Sequence, residues 1–261
     1  MRNAHQEARR PIAERLQSRD HKGAVLSSSG GNAPSDPRER TGANGSSDVY
    51  LNRGIGLEFE MEAAWVRKHH PSATQTIVDV GCGNGGLLAS LPCANVIGFD
   101  YACSGLVHAR VRNAGINVAC ALADRLPLPD ACVDVVVAQH VIEHMPDVEA
   151  AIREWRRVLR LHGLLLILTP NASFTDPSIF DDPTHVRLFR ARELRDVIAG
   201  AGLLVSELRS LGLPWFRDCQ SLPGAWRLRR FVTTHADALS SAPLCRWRGQ
   251  TLCCAATRSE G

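Results

Sequence analysis

The chain has 261 residues, 44% of them hydrophobic, and a formal net charge of +3 from 30 basic and 27 acidic side chains. This length and apolar content suffice for one α/β domain with appendages. The near balance of charge excludes a global field that would favour nucleic acid, and no apolar run reaches the ~18 residues of a membrane-spanning helix.

The first 48 residues differ in composition from the rest of the chain. They are polar and rich in Arg, Ser, Gly and Asn, which is typical of flexible linkers. We predict that residues 1–48 form a disordered N-terminal tail and that residues 49–261 form the folded domain. An arm that closes over a substrate is the alternative interpretation of the tail.

Beyond the tail, segments with helical periodicity alternate with short apolar runs. The predicted helices cover residues 56–69, 104–113, 148–159 and 194–201, and the predicted strands cover 77–80, 95–99, 117–122, 133–138, 164–168, 203–208 and 250–256. This alternation predicts a parallel, doubly wound sheet with helices on both faces. Residues 212–249 are predicted to be an insertion between the last two strands, carrying a helix of its own.

Nine cysteines occur without a C-x-x-C pair or the spacing of a metal site. We therefore expect small apolar cysteines in a reducing cytoplasm, and no bound metal.

One glycine-rich turn organises the chain. The strand 77–80 leads into residues 81–86, Gly-Cys-Gly-Asn-Gly-Gly, and Leu87 opens a helix. Glycines let the backbone turn sharply and approach a ligand closely, and the helix start offers unpaired N–H groups. The next strand leads to Asp100, where a carboxylate accepts hydrogen bonds from ribose hydroxyls. The pattern predicts a nucleoside site at the carboxyl ends of parallel strands.

Two ligand classes compete for this site. Gly81, Gly83 and Gly86 satisfy G-x-G-x-x-G, and Asp100 follows about 20 residues later, as in dinucleotide-binding folds. Asp79 disfavours a nicotinamide oxidoreductase, because a carboxylate two residues before the first glycine would repel a pyrophosphate. The same carboxylate suits S-adenosylmethionine, which carries an ammonium and a sulfonium.

The segment 79–85, Asp-Val-Gly-Cys-Gly-Asn-Gly, resembles motif I of the class I S-adenosylmethionine-dependent methyltransferases. Three further segments match that family in order and spacing: Asp100-Tyr101, residues 123–130, and residues 141–147, the last of which resembles the small-molecule ("type 11") branch. The resemblance implies a Rossmann-like seven-stranded sheet in the order 3-2-1-4-5-7-6, with the last strand antiparallel.

The resemblance also implies roles for the cofactor-side residues. Asp79, Gly81 and Gly83, with Cys82 between the glycines, would hold the methionine end, and Asp100 would bind the ribose. The remaining candidates are Tyr101 against adenine, Asp124 as acceptor of the adenine amino group, Arg125 beside it, and Gln139 at the exit of the fourth strand. Packing at a helix start is the alternative role for Tyr101.

Candidates for catalysis lie on the acceptor side. His140 and His144 follow the fourth strand, and an unperturbed histidine titrates near ~6.5, which suits a base. His185 and Arg187 belong to a segment that resembles one bordering the acceptor pocket in this branch. The alternative for that segment is a loop held by an Asp–His hydrogen bond.

Aromatic and basic residues mix in the insertion, where Trp215 and Trp226 stand among arginines. This composition can bind an aromatic acid or a phosphorylated acceptor, or RNA, whose bases stack on such side chains. The alternative is a lid helix with its arginines in water.

Taken together, these patterns predict a cytoplasmic enzyme that moves a methyl group from S-adenosylmethionine to an oxygen or nitrogen of a small molecule. An RNA or protein methyltransferase and a catalytically silent partner protein are the alternatives. The near-neutral charge disfavours a nucleic acid partner, and oligomeric state is not indicated.

Overall fold

The computed structural model describes residues 57–69, 74–91, 95–112, 116–174, 182–212, 231, 235 and 249–260. In chain order the elements are α1 (Leu57–His69), β1 (Thr76–Val80), α2 (Gly86–Ser90), β2 (Asn95–Asp100), α3 (Cys103–Arg112), β3 (Asn117–Cys120), β4 (Val133–Gln139), a 3₁₀ turn (Ile142–His144), α4 (Val148–Val158), β5 (Leu159–Pro170), α5 (Ala191–Gly200), β6 (Leu203–Leu211) and β7 (Thr251–Arg258). No described helix is both long enough and apolar enough to cross a membrane.

The strands form one sheet in the order β3-β2-β1-β4-β5-β7-β6. Strands β1 to β5 pair in parallel, whereas β7 runs antiparallel to both β5 and β6. The order and the antiparallel last strand confirm the predicted topology. The central strands are apolar on both faces, because helices cover a parallel sheet on both sides.

Register decides which residues meet at the edge of the sheet. Val80 pairs with Phe99 on one side and with Ala138 on the other. The residues that follow these three, namely Gly81, Asp100 and Gln139, therefore lie at the same edge of the sheet, where the three strands end.

Helix α4 has the predicted N-cap. The Ala150 backbone N–H donates to Asp147 Oδ1 at 2.8 Å, which satisfies one of the unpaired donors of the first turn. Its buried stripe is Val148, Ala151, Ile152, Trp155 and Val158. This face packs against the sheet, as its helical spacing predicted.

Strand β5 is longer than the predicted 164–168. It begins at Leu159, directly after α4, and its pairing with β4 shifts register between Val133 and Val135. The strand accommodates its additional residues by an irregularity at Gly163. A Cβ atom at this position would lie 2.8 Å from the Arg160 carbonyl oxygen, so only glycine fits there. Gly163 therefore marks an irregularity within the strand rather than its start.

The cysteine prediction was wrong for one pair. Cys103, at the start of α3, and Cys120, at the end of β3, form a disulfide with a Cα–Cα distance of 5.2 Å. Asp100 pairs with Cys120 across β2 and β3, which brings the end of β3 beside the residues that follow β2. Cys82, Cys253 and Cys254 are free and buried, as predicted.

Two predicted segments lie outside the described residues. They are the tail, residues 1–48, and nearly all of the insertion at 212–249, including Trp215 and Trp226. The division of the chain into a tail and a domain starting at residue 49 therefore stays a prediction.

Candidate cofactor and acceptor site

The glycine turn packs tightly against the end of β2. Gly81 and Gly83 have φ angles of 72° and 50°, in the left-handed region that favours glycine. The backbone N–H groups of Gly81 and Cys82 donate to the Phe99 carbonyl at 2.7 and 3.1 Å. A Cβ atom at Gly81 would clash with Cγ2 of Val141, a residue of the segment that follows β4. The turn is thus held between β2 and that segment.

Cys82 contributes its backbone rather than its thiol to this turn. Its side chain is buried, and a Cβ atom at Gly98 would lie 2.6 Å from Cys82 Sγ. The sulfur therefore packs over β2, where only a glycine leaves room for it.

Asp100 joins the glycine turn to the start of α3. Its Oδ2 accepts from the Gly83 N–H and its Oδ1 from the Ala102 N–H, both at 2.8 Å. Burial raises the pKa of this carboxyl, and the two hydrogen bonds oppose that shift. Each carboxylate oxygen has a second lone pair, so Asp100 keeps acceptor capacity for the two hydroxyls of a ribose.

Asp79 is a buried acid whose negative charge, when ionised, is not balanced by a salt bridge among the described residues. Its exposed fraction is 2%, and burial, followed by the nearby charge of Asp100, raises its pKa to about 8. No salt bridge among the described residues involves Asp79. A cationic ligand would compensate the buried carboxylate, so this residue fits the ammonium and sulfonium of S-adenosylmethionine.

The loop that carries Asp124 and Arg125 is pinned by helix α4. The buried Trp155 Nε1–H donates to the Ala123 carbonyl at 2.9 Å. Glu154 accepts from the Leu126 N–H at 2.7 Å, and Arg157 donates to the Leu128 carbonyl at 2.9 Å. Helix α4 thereby fixes the loop on which the two adenine-side candidates lie, with both of their side chains exposed.

A buried polar network lies where β4 ends. Glu62, on α1, accepts from Gln139 Nε2 at 2.6 Å, from Thr251 Oγ1 at 2.6 Å and from His140 Nε2 at 3.2 Å. The other ring nitrogen of His140 lies 3.2 Å from Glu143 Oε1. His140 therefore bridges two carboxylates that are 4% and 0% exposed.

This network changes the role expected of His140. Burial by itself lowers the pKa of His140, but the charge of Glu62 and the hydrogen bonds to Glu143 and Glu62 outweigh it and raise the pKa to about 10. Both nitrogens of the imidazolium are then donors. His140 cannot accept a proton in this state, which argues against the predicted catalytic base. The His140 backbone has a left-handed φ of 54°.

His144 and His185 face each other beside this network, with ring centroids 4.9 Å apart. His144 Nδ1 lies 3.0 Å from the Thr184 carbonyl, which can only accept, so Nδ1 carries the hydrogen and Nε2 has the lone pair. The Val186 and Arg187 N–H groups donate to the Glu143 carbonyl at 2.7 and 3.2 Å. The loop bearing His185 is thus tied to the turn bearing His144.

Comparison with known proteins identifies the family of this chain. Residues 78–167 match the family model for a methyltransferase domain. Over 182 residues the chain is 36% identical to a probable S-adenosylmethionine-dependent methyltransferase of Mycobacterium tuberculosis, with 64% of this chain and 66% of the relative covered. The chain belongs to the S-adenosylmethionine-dependent methyltransferases. It covers just under two thirds of that relative's length.

Two further comparisons bear on this methyltransferase. A ubiquinone biosynthesis O-methyltransferase of Parvibaculum lavamentivorans is 27% identical over 212 residues, which cover 73% of this chain and 79% of that protein. A solved methyltransferase of Thermotoga maritima, described as a possible histamine N-methyltransferase, has a TM-score of 0.58 at 18% identity and covers 81% of this chain and 96% of its own. The second comparison shows a shared fold.

Three predicted site residues of the methyltransferase have specific surroundings. The Arg187 guanidinium lies 4.6 Å from the centroid of the Phe189 ring, and its Nη1 lies 3.8 Å from Glu149. Tyr101 is 71% exposed, so its side chain is accessible to a ligand. Gln139 is bound to Glu62, so its amide is held within the buried network.

Sequence reasoning missed Glu62. It lies on α1 between the buried Met61 and Ala63. The available signal was an acid within an otherwise apolar stripe, because such an acid must find partners when the helix packs. Those partners come from β4 and β7, and their identity depends on the fold.

Proposed function

We propose that this methyltransferase acts in the cytoplasm and transfers a methyl group to an oxygen or nitrogen of a small-molecule acceptor. When bound, S-adenosylmethionine supplies a methyl group on a positively charged sulfur. Asp79 would hold the methionine end, Gly81 and Gly83 would present backbone to it, and Asp100 would bind the ribose. The chain's main contribution is position, worth up to ~7–11 kcal/mol in ideal cases.

One observation supports the acceptor side of this proposal. Val141 packs against Gly81 in the cofactor turn, and the 3₁₀ turn that follows Val141 ends at His144. His144 in turn faces His185. The two imidazoles are therefore connected to the cofactor turn through one short segment. An imidazole nitrogen with a lone pair at this place could accept the proton of a reacting hydroxyl or amine.

Arg187, Trp215 and Trp226 are proposed to contact the body of the acceptor. Arg187 lies two residues after His185 on the same loop and is exposed. The two tryptophans rest on the composition of the insertion. An aromatic or acidic acceptor would suit this combination of side chains.

Radiolabelled methyl transfer tests the proposal. Purified protein would be incubated with labelled S-adenosylmethionine and separate small-molecule, RNA and protein fractions, with Asp100→Ala as the matched control for cofactor-dependent labelling. We expect label in the small-molecule fraction, with the methylated atom then assigned by mass spectrometry and NMR. Label confined to RNA or protein would overturn the acceptor class. Tight cofactor binding without transfer to any fraction would favour a silent partner protein.

A further inference from the structure

We propose that Glu143, His144 and His185 form a binding site for a divalent transition-metal ion, of which Zn²⁺ is the representative. The ion would bind the reacting oxygen of the acceptor, and this part rests on the proposed function. The sequence pattern predicted no bound metal, because the cysteines lack the spacing of a metal site.

The three side chains converge in space. One carboxylate oxygen of Glu143 and one ring nitrogen from each histidine all lie within 4.8 Å of one another. Glu143 is fully buried, whereas His144 and His185 are partly buried. The His185 side chain is only 6% exposed, and the Nε2 atoms of both histidines are buried. The cluster is therefore an enclosed site.

The donors are oriented by neighbours in the way that metal ligands usually are. His144 Nδ1 donates to the Thr184 carbonyl. Nε2 therefore carries the lone pair and is the atom that would bind the metal. Glu143 Oε2 accepts from Thr169 Oγ1 at 3.0 Å, and Oε1 accepts from His140. Each carboxylate oxygen has two lone pairs, so these bonds fix the carboxylate without exhausting it.

Local charge favours a cation. Glu62, Glu143 and Asp182 carry three negative charges around the cluster, and Asp182 Oδ2 lies 3.8 Å from His185 Nε2. The His140 imidazolium, paired with Glu62 and Glu143, balances one of them. A divalent ion would neutralise the remaining excess.

The donor set selects the kind of ion. Two imidazoles and one carboxylate are a known zinc set with a fourth position open, whereas Mg²⁺ and Ca²⁺ prefer oxygen ligands throughout. Tetrahedral ligands at roughly 2.1 Å from zinc are roughly 3.4 Å apart. The cluster must therefore contract when it binds, and His185, on the loop, is the ligand best placed to move.

The ion would explain how an acceptor hydroxyl loses its proton without a free base. Binding to zinc lowers the pKa of an O–H group toward neutrality, so the O–H bond breaks and its proton passes to solvent. The oxygen then forms a bond to the methyl carbon. The carbon–sulfur bond breaks, and its electron pair stays on sulfur. The ion keeps its charge throughout.

Direct metal binding tests the site without any acceptor. Tag-free full-length protein would be stripped with a chelator, titrated with Zn²⁺ by calorimetry and with Co²⁺ by visible absorption. We expect one ion per chain, and at least about tenfold weaker binding in His144→Ala, His185→Ala and Glu143→Gln. His162→Asn is the matched control, because it removes an exposed imidazole at the start of β5, and Asn tolerates the left-handed φ of 62° there.

Equal zinc affinity in wild type and His185→Ala would overturn the site, as would binding well below one ion per chain. Circular dichroism of each variant separates lost ligands from lost folding. S-adenosylmethionine affinity and methyl transfer are measured on the same samples. If the substitutions weaken zinc binding, the site is supported even when none of the acceptors tested is methylated. Undiminished methyl transfer by stripped protein would overturn the role of the ion while leaving the proposed function intact.

Discussion

Glu62 and His140 form a buried ion pair that joins helix α1 to the end of strand β4, with His140 Nε2 3.2 Å from Glu62 Oε1. The carboxylate is 4% exposed, and its pKa is held low by the charge of His140 and by hydrogen bonds that overcome the effect of burial. The pair therefore couples a helix outside the matched family segment to the edge of the sheet that carries the proposed cofactor-binding residues.

Replacing Glu62 with Gln should be strongly destabilising. The change leaves the His140 imidazolium with only one of its two acids, and breaking a buried pair typically costs about 3–5 kcal/mol. Chemical denaturation would measure the free energy of unfolding. Glu60→Gln, on the same helix but outside the network, is the control and should stay within about 0.5 kcal/mol of wild type. A Glu62→Gln variant as stable as the control would show that the pair is not ionised.

Asp79 should make the ligand-free protein less stable as pH rises. Its pKa is about 8 in the folded protein, against 3.8 for an unperturbed aspartate, so the folded state binds the extra proton between those two values. Stability attributable to this group therefore declines from about pH 4 to about pH 8. Asp79→Asn should remove that decline and be the more stable protein at pH 8, measured by thermal unfolding. Asp196→Asn, at an exposed site on α5, should leave the pH profile unchanged.

The same pKa predicts proton release when the cofactor binds. A cationic ligand favours the ionised form of Asp79, so near pH 7 binding should expel a proton. Calorimetry in two buffers of different ionisation enthalpy would detect this as a difference in apparent binding enthalpy. The difference should vanish in Asp79→Asn, whose affinity for S-adenosylmethionine should also be lower. Equal enthalpies for wild type in both buffers would argue against a protonated Asp79.

Asp100 should control cofactor affinity. Asp100→Ala removes the acceptor of the ribose hydroxyls, and a hydrogen bond to a charged group contributes about 1.5–3 kcal/mol. We expect the Kd for S-adenosylmethionine to rise roughly 10- to 150-fold. Asp100→Asn keeps an oxygen acceptor and should lose less. NAD should not bind to wild type or to either variant. Calorimetry that shows NAD binding more tightly than S-adenosylmethionine would reverse the ligand assignment.

The Cys103–Cys120 disulfide should stabilise the protein under oxidising conditions. It closes a loop with a sequence separation of 17, for which the loss of chain entropy in the unfolded state is worth about 3 kcal/mol. Alkylation and mass spectrometry without reductant should find these two cysteines protected, and Cys120→Ser should lower the melting temperature. Cys132→Ser, at a cysteine outside the disulfide, is the control. A variant whose melting temperature matches wild type without reductant would contradict a stabilising bridge.

Local patterns were sufficient to predict the strands and the turn that carry the proposed cofactor-binding residues. Parallel β1 and β2, the glycine turn between β1 and α2, and Asp100 at the next strand end are all neighbours in sequence. Apolar runs predict strands, glycines predict left-handed turns, and Asp147 predicts a helix start, each from residues close together in the chain. Since parallel strands that end level place their following residues at one edge, these signals also positioned Asp79, Gly81 and Asp100 together.

The acceptor half depended on tertiary structure. Glu62 meets His140 across a separation of 78 residues, and the loop with Thr184 and His185 meets His144 across 40. Whether a histidine is a base, a metal ligand or a buried imidazolium depends on which charges surround it. The charged partners of each histidine are brought to it by the register of β4 and β5 and by the packing of α1. Neither the register nor the packing can be read from the spacing of residues along the chain.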